Sequence, residues 1–281
     1  FPEGSIIYPN EPVITIVAPL IDAQIVETAV LTMMNHQSLI ATKANRIVRA
    51  ADGRVVADFG ARRAHNVDAA VYGARAAYIG GVGSTATVLA GQQFGIPVSG
   101  TMAHSWVMYY GSEYDAFKAY AEVYPDNAVF LVDTYDVLNS GVPNAIQVAK
   151  DVLEPMGKRL KGIRLDSGDL AYLAKKARRM LDDAGLEDCK IMASNSLDEY
   201  TIKSLLLQGG PIDIFGVGER LITSKSDPVF GAVYKIASIE KDGKWEPRIK
   251  ISEAVEKITN PGLKKVYRVY NEQGRAIADL M

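Results

Sequence analysis

The segment IRLDSGD, at residues 163–169, is a short apolar run that ends abruptly in polar and charged residues. Six further runs between about residues 55 and 222 end in the same way, in DFGARR, GGVGST, SGTMAHS, LVDTYD, MASNS and FGVGER. Most of these runs are followed by a helical pattern, and alternating strands and helices are typical of an α/β barrel. Because there are seven runs rather than eight, we expect an irregular, incompletely closed α/β barrel with its polar clusters at one mouth.

Outside these runs the chain changes character. KDGKW at 241–245 carries an Asp-Gly hairpin turn, and the flanking runs read as antiparallel strands. We predict a catalytic α/β barrel domain over 19–228 and a smaller β-rich domain that combines 1–18 with 229–281. The N-terminal run is expected to pair with the C-terminal strands. Because the chain starts with Phe1, we also expect part of the N-terminal segment to be missing.

Periodicity and caps predict individual helices. An apolar residue every four positions predicts one long helix over 20–46. Ser196 with Glu199 three residues later resembles a capping box that opens another helix. A short helix is expected over 85–94, and Asp169 is placed to cap the helix that follows IRLDSGD.

Composition limits the class of protein. The 281 residues are 48% hydrophobic, which is enough for a large core, and the formal net charge is only −2. Such a balance does not indicate nucleic acid or a membrane surface as a partner, and no apolar run reaches the roughly 20 residues of a bilayer span. The single cysteine, Cys189, fits a reducing compartment. We expect a cytoplasmic protein with no nucleic-acid or membrane partner.

The polar run ends contain reactive side chains. Strand alternation places Arg164 and Asp166 on one face, where buried charges need each other or a ligand. GTMAHS brings His104 and Thr101 to the expected mouth, although either residue could be structural there. In LVDTYD, Asp133 or Asp136 could contact a metal ion through water.

Two other run ends suit phosphate. DFGARR offers guanidinium groups at Arg62 and Arg63, which bind phosphate or carboxylate in a bidentate way. FGVGER continues to Thr223, and its glycines Gly216 and Gly218 would allow a bound group to approach the backbone. Basic groups mixed with carboxylates indicate a phosphorylated substrate that carries Mg²⁺.

DFGARRAH, GTMAHSW, GIRLDSGDL, MASNSLDE and GVGERLIT occur in this order, and the chain thereby resembles nicotinate phosphoribosyltransferases. KISEAVEKITNPGLKKVYR is also similar to that family's return to its β domain. The resemblance implies the irregular barrel of the type II phosphoribosyltransferase kind. It also implies phosphoribosyl transfer from phosphoribosyl pyrophosphate (PRPP) to nicotinate in NAD salvage, with Mg²⁺, coupled ATP hydrolysis through a phosphohistidine, and a homodimer.

The resemblance also implies roles for residues around the base. His104 matches the histidine that ATP phosphorylates, and Asp166 matches a carboxylate beside the ribose or its metal. Thr101 matches a nicotinate contact, and Arg164 resembles the arginine that meets the pyridine carboxylate. Arg62 matches an arginine that packs near the aromatic base.

The resemblance also implies that Thr223 contacts PRPP and that Gly216 and Gly218 lie near the 5′-phosphate of PRPP. The family's base-stacking tyrosine belongs to the N-terminal segment that we expect to be missing. The residues that hold Mg²⁺ stay unassigned.

Three alternatives remain open. A nicotinamide phosphoribosyltransferase would share the fold, but that family has an aspartate near the base where this chain has the neutral GST at 83–85, which favours the anionic nicotinate. A quinolinate phosphoribosyltransferase would need further basic groups and would lack the phosphohistidine. The chain could also be an inactive dimerisation or ligand-binding module.

Overall fold

Six short parallel strands form one sheet in the computed structural model, which describes residues 1–253 and 258–281. The strands are β1 (Val55–Asp58), β2 (Ser84–Thr85), β3 (Val129–Leu131), β4 (Gly162–Leu165), β5 (Lys190–Ser194) and β6 (Ile214–Val217). Their order is β2-β1-β6-β5-β4-β3, so the last strand pairs with the first, as in a barrel. The predicted run that ends in SGTMAHS forms only a single parallel bridge, from Val98 to Thr85. The described residues show no pairing between Val98 and β3, which confirms an incompletely closed α/β barrel.

Helices alternate with these strands. They are α1 (Leu20–Ile25), α2 (Glu27–Ala50), α3 (Val67–Ile79), α4 (Val88–Phe94), α5 (His104–Tyr110), α6 (Glu113–Val123), α7 (Val142–Val148), α8 (Leu170–Asp183), α9 (Glu199–Leu207) and α10 (Glu219–Ile222). In α8 the predicted cap is confirmed, because the Asp169 carboxylate accepts a hydrogen bond from Tyr172 N at 3.0 Å. One face of α8, including Ala174, Ala177 and Leu181, is fully buried in the main core. None of the helices in the described ranges has the length and hydropathy of a membrane span.

Three helix predictions are wrong in their details. The helix expected over 20–46 is two helices, because Val26 N bonds to Gln24 O and interrupts the regular pattern. The helix expected over 85–94 starts at Val88, since Thr85 is held in β2 by bonds to Pro97 and Ser99. The capping box at Ser196 does not form. Asp198 caps α9 instead, and its carboxylate accepts from Thr201 N at 2.8 Å.

The chain divides into two compact units, one of 36–230 and the other of 1–35 with 231–281. The smaller unit contains two antiparallel pairs: β7 (Ser238–Lys241) with β8 (Lys244–Pro247), and β9 (Tyr267–Tyr270) with β10 (Ala276–Leu280). Asp242 and Gly243 form the first turn with φ values of 51° and 73°, the left-handed conformation that a tight hairpin needs. The prediction that N-terminal strands pair with this region is wrong for the described residues.

At the N-terminus, residues 1–18 form no strand, and prolines 2, 9 and 12 cannot donate to a ladder. Within the KISEAVEKITNPGLKKVYR motif, residues 254–257 lie outside the described residues. The domain boundaries at 18/19 and 228/229 stay predictions.

The contact between a π-helical turn, Val137–Gly141, and the end of β3 leaves no room for a side chain. A Cβ added at Gly141 would lie 1.9 Å from Val132 O, and both residues are fully buried or nearly so. We therefore expect Gly141→Ala to lower the free energy of unfolding by about 3 kcal/mol, the upper end of typical overpacking costs. Denaturant titration would measure this loss. Gly100→Ala, where an added Cβ meets nothing within 4 Å, is the matched control; equal stability of the two variants would contradict the prediction.

Candidate active site

His104 is the first residue of α5 and lies among side chains from the carboxyl end of the sheet. Its Nδ1 is 3.1 Å from Thr134 Oγ1, and its Nε2 is 3.6 Å from Asp166 Oδ2 and 3.9 Å from Asp133 Oδ1. The imidazole is 39% exposed, whereas the Asp133 side chain is almost completely buried. His104 is therefore open to a ligand on one side and faces two carboxylates on the other.

A hydrogen-bond network fixes these carboxylates. Asp133 Oδ2 accepts from Asp166 N at 3.1 Å and from Ser167 Oγ at 2.5 Å. Ser194 Oγ donates to Asp166 Oδ1 at 2.5 Å. The network thus joins the ends of β3, β4 and β5. Asp133 Oδ1 is buried and accepts no hydrogen bond from the described residues, which leaves one carboxylate oxygen for a ligand.

Arg164 lies on β4, two residues before Asp166. Its guanidinium is largely buried, its Nε has no hydrogen-bond partner, and it forms no ion pair within 4 Å among residues 1–253 and 258–281. The salt bridge to Asp166 that the sequence left open is therefore not formed. Burial lowers the pKa of Arg164 from its ordinary value, the charges of Asp166 and Asp133 oppose that shift, and Arg62 adds to it. A buried cation without a bonded partner favours an anionic ligand.

The other predicted residues around the base are less constrained. Arg62 is exposed in the short turn Ala61–Arg63, close enough to Arg164 to affect its pKa. Thr101 is half-buried, and its hydroxyl donates to Met102 O at 3.3 Å. The roles predicted for both residues stay predictions.

The two glycines have structural explanations. A Cβ at Gly216 would lie 2.7 Å from the Phe59 ring, so the chain itself fills the space that we expected for a bound group. Gly218 is the N-cap of α10, and a Cβ there would lie 3.2 Å from Phe59 O. Packing against Phe59 accounts for both glycines, and their proximity to a phosphate stays a prediction.

Thr223 lines a cavity of about 620 Å³. Its lining residues are Arg63, His65, Glu219, Thr223, Lys225, Ser226 and Pro228. The Thr223 hydroxyl donates to Glu219 O at 2.7 Å, and the Glu219 carboxylate pairs with Arg63 and Lys225. The neighbouring Ser226 accepts a bond from Lys43, which is 3% exposed. The cavity thus combines three basic side chains with two hydroxyl groups.

The sequence pattern assigns no role to Thr134 or Ser194, and it does not distinguish Asp133 from Asp136. Asp136 caps the following turn through Leu138 N and Asn139 N, and the bond from the Asn139 side chain, followed by these backbone bonds, lowers its pKa. Asp133 instead faces His104. The only available signal was that Thr134 and Ser194 stand at strand ends. In the described ranges, no three His, Cys, Asp or Glu side chains are grouped so that they could hold a metal ion by themselves.

Comparison with known proteins gives a consistent result. A model of the nicotinate phosphoribosyltransferase (NAPRTase) family matches residues 55–272. Nicotinate phosphoribosyltransferase from Bacillus subtilis (strain 168) is 56% identical over 272 residues, which cover 96% of this chain and 54% of the relative. The relative named nicotinate phosphoribosyltransferase from Caenorhabditis elegans is 36% identical, and the match covers 99% of this chain and 59% of that protein.

Solved structures agree with these matches. The crystal structure of human nicotinic acid phosphoribosyltransferase superposes with a TM-score of 0.81 at 29% identity, covering 99% of this chain and 62% of that chain. Nicotinate-nucleotide pyrophosphorylase from Pyrococcus furiosus superposes with a TM-score of 0.61 at 33% identity, covering 70% of this chain and 50% of that chain. The chain spans about half the length of the curated relatives that it matches first. From the matched residues and these identities, the chain belongs to the nicotinate phosphoribosyltransferase (NAPRTase) family.

Proposed function

We propose that the protein transfers phosphoribose from PRPP to nicotinate and forms nicotinate mononucleotide and pyrophosphate. The observation that carries the proposal is Arg164, a largely buried guanidinium that lacks an ion pair within the described residues but is close enough to Asp166 and Asp133 for their charges to affect its pKa. A planar guanidinium suits the flat carboxylate of nicotinate, which it can bind through two parallel hydrogen bonds. The names of the relatives support the same substrate.

The surroundings of β2 support nicotinate over nicotinamide. The Thr85 hydroxyl donates to the buried Asp58, and the hydroxyls of Ser84 and Ser99 are 2.6 Å apart. The segment GST at 83–85 is neutral and contains no aspartate. It therefore adds no negative charge that would repel the carboxylate of nicotinate. Nicotinamide and quinolinate remain the alternative bases, and an inactive module remains the alternative from another class.

The carboxylates suit the transfer chemistry. When pyrophosphate leaves, ribose C1 becomes electron-poor, and negative charge held nearby by Asp166 and Asp133 would stabilise it. Hydrogen bonds from Ser194 and Ser167 keep these two side chains in place without reorganisation. The pyridine nitrogen of the base, oriented by Arg164, would attack from the opposite face.

The site also suits Mg²⁺ as a cofactor. Mg²⁺ binds in proteins through one or two carboxylates together with substrate phosphates, so a complete protein cage is not needed. The free, buried Asp133 Oδ1 is the oxygen that would hold it, with Asp166 beside it. When bound, Mg²⁺ would neutralise the charge that builds up on the leaving pyrophosphate.

We further propose that ATP is a co-substrate and that His104 accepts its terminal phosphoryl group. In this step a nitrogen–phosphorus bond forms at the imidazole, the bond to the terminal phosphorus of ATP breaks, and ADP leaves. The partial exposure of His104 supports access for a nucleotide. A phosphoryl group there would add negative charge beside Asp133 and Asp166 and so change the affinity for Mg²⁺–PRPP. By family resemblance, we place the reaction in NAD salvage in the cytoplasm and the enzyme as a homodimer.

The test is a substrate comparison with the full-length protein. PRPP and Mg²⁺ are supplied with nicotinate, nicotinamide or quinolinate, each with and without ATP, and the mononucleotide product is identified by mass. We expect nicotinate mononucleotide as the main product, with ATP increasing its yield and with ADP released. Preference for another base would overturn the substrate assignment, and no product from any base would favour the inactive module.

Thr223 provides a separate test of the PRPP contact. Thr223→Val keeps nearly the same volume but removes the hydroxyl, so PRPP affinity should fall about 5- to 10-fold, the value of one hydrogen bond of about 1 kcal/mol or slightly more. Calorimetry with PRPP and Mg²⁺ measures the change. Thr201→Val, on α9, is the control. Wild-type PRPP affinity in Thr223→Val would mean that the hydroxyl only caps α10 through Glu219 O.

A further inference from the structure

Two chain segments contact each other at two places, one at His104 and the other at Glu113. The first segment contains α5, which begins at His104, a short turn, and α6, which begins at Glu113. The second contains the acidic loop (residues 133–136) and the π-helical turn Val137–Gly141. At one end the segments are joined by the contact of His104 Nδ1 with Thr134 Oγ1. The geometry of His104 therefore depends on how these two segments are held together.

At the other end the contact is made by Glu113. This residue is 3% exposed, and its Oε2 accepts a hydrogen bond from Ser140 Oγ. Ser140 N in turn donates to Asp136 O at 3.1 Å, and the Asn144 side chain donates to Ser140 O at 3.0 Å. A continuous chain of bonds thus runs from the start of α6 to the end of the acidic loop.

A buried carboxyl group at this position needs an explanation beyond helix capping. Ser112 already caps α6, because its hydroxyl accepts from Asp115 N. Glu113 Oε1 is buried without a hydrogen-bond partner in the described part of the chain, which is a cost for the fold. Burial raises the pKa of Glu113, its bonds to Ser140 and Asn144 oppose the shift, and the charges of Asp136 and Asp133 add to it.

We propose that Glu113 is a positioning residue for His104. It ties α6 to the acidic loop through Ser140, and it thereby sets the distance between His104 and the pair Thr134 and Asp133. Because two carboxylates face Nε2, the proton of neutral His104 belongs on Nε2, and Nδ1 accepts from the Thr134 hydroxyl. Loss of the Glu113–Ser140 bond would let the segments separate and remove this tautomer preference.

The inference concerns the same site as the proposed function, but it is tested on the free protein without substrates. The tautomer of His104 is read from two-bond ¹H–¹⁵N correlations at alkaline pH. The 281 residues contain three histidines, and comparison with His104→Ala identifies the signal of His104. We expect the Nε2–H form to dominate in wild type, in Glu113→Gln, which keeps an acceptor for Ser140, and in Glu122→Gln, an exposed control on α6.

In Glu113→Ala and in Ser140→Ala we expect that preference to be lost, with the signals averaging as in a free imidazole. Ser140→Ala removes only one oxygen atom. It therefore tests the role of the Glu113–Ser140 bond even if Glu113→Ala does not fold. A wild-type tautomer in Ser140→Ala would overturn the inference even if the melting temperature falls, because the role of the bond would then be stability alone. If the preference is lost in these variants but the wild-type protein forms no mononucleotide from any base, the inference stands and the proposed function is rejected.

Discussion

Replacing Arg164 with alanine is expected to raise the KM for nicotinate about 10- to 150-fold, which corresponds to the roughly 1.5–3 kcal/mol of one charge-assisted hydrogen bond. The KM for PRPP should change little, because the guanidinium is proposed to bind the carboxylate of the base and not PRPP. Arg164 has no bonded partner of its own in the described residues, so its removal leaves no carboxylate newly unpaired. Steady-state kinetics with each substrate varied in turn would measure the two KM values.

Arg159→Ala is the matched control for this variant. Arg159 is an exposed arginine that pairs with Asp188 and Glu154, and its loss should leave both KM values near wild type. An unchanged nicotinate KM in Arg164→Ala would remove Arg164 from the base site. An equal increase in the two KM values would mean that it organises the site as a whole.

Replacing His104 with alanine should have the largest effect of all, the complete loss of ATP hydrolysis and of stimulation by ATP. Synthesis driven by PRPP alone should persist at a reduced rate, since departure of pyrophosphate does not chemically require the imidazole. In the wild-type protein, ATP with Mg²⁺ should label His104 as a phosphoramidate that is stable to base and labile to acid. Mass spectrometry of the labelled peptide identifies the residue.

His36→Gln is the control for the labelling. His36 is half-buried on α2 and is not among the side chains that surround His104, so it should take no label and its loss should not affect labelling of His104. Full ATP coupling in His104→Ala would end the phosphohistidine proposal. The protein would then be a phosphoribosyltransferase of unassigned energetics.

Much of the fold was predictable because the end of each strand is marked in the sequence by a change from apolar to polar residues. Six of the seven apolar runs form strands of the sheet and change to polar residues near their carboxyl ends, so the alternating layout and the open barrel follow from the sequence. Element boundaries depend on local competition that a pattern does not reveal. Asp198 displaces Ser196 as the cap of α9, because its carboxylate stands directly before the helix and accepts two backbone bonds.

The candidate site was predictable in the residues that carry charge. His104, Arg164 and Asp166 were expected at one mouth, and His104 and Asp166 lie within 4 Å of each other. Thr134 and Ser194 were not assigned roles, because a hydroxyl at a strand end looks the same whether it bonds to solvent or to a catalytic group. At Gly216 the ring of Phe59 lies where a Cβ would be, so packing alone explains the glycine, and its proximity to a phosphate stays a prediction.

A crystal structure of the full-length protein with nicotinate mononucleotide bound would test directly whether Arg164 binds the base. We expect the pyridine carboxylate to lie about 3 Å from the Arg164 guanidinium, with the ribose beside Asp166 and His104. A carboxylate that points to solvent, or a nucleotide bound away from the carboxyl ends of the strands, would contradict it.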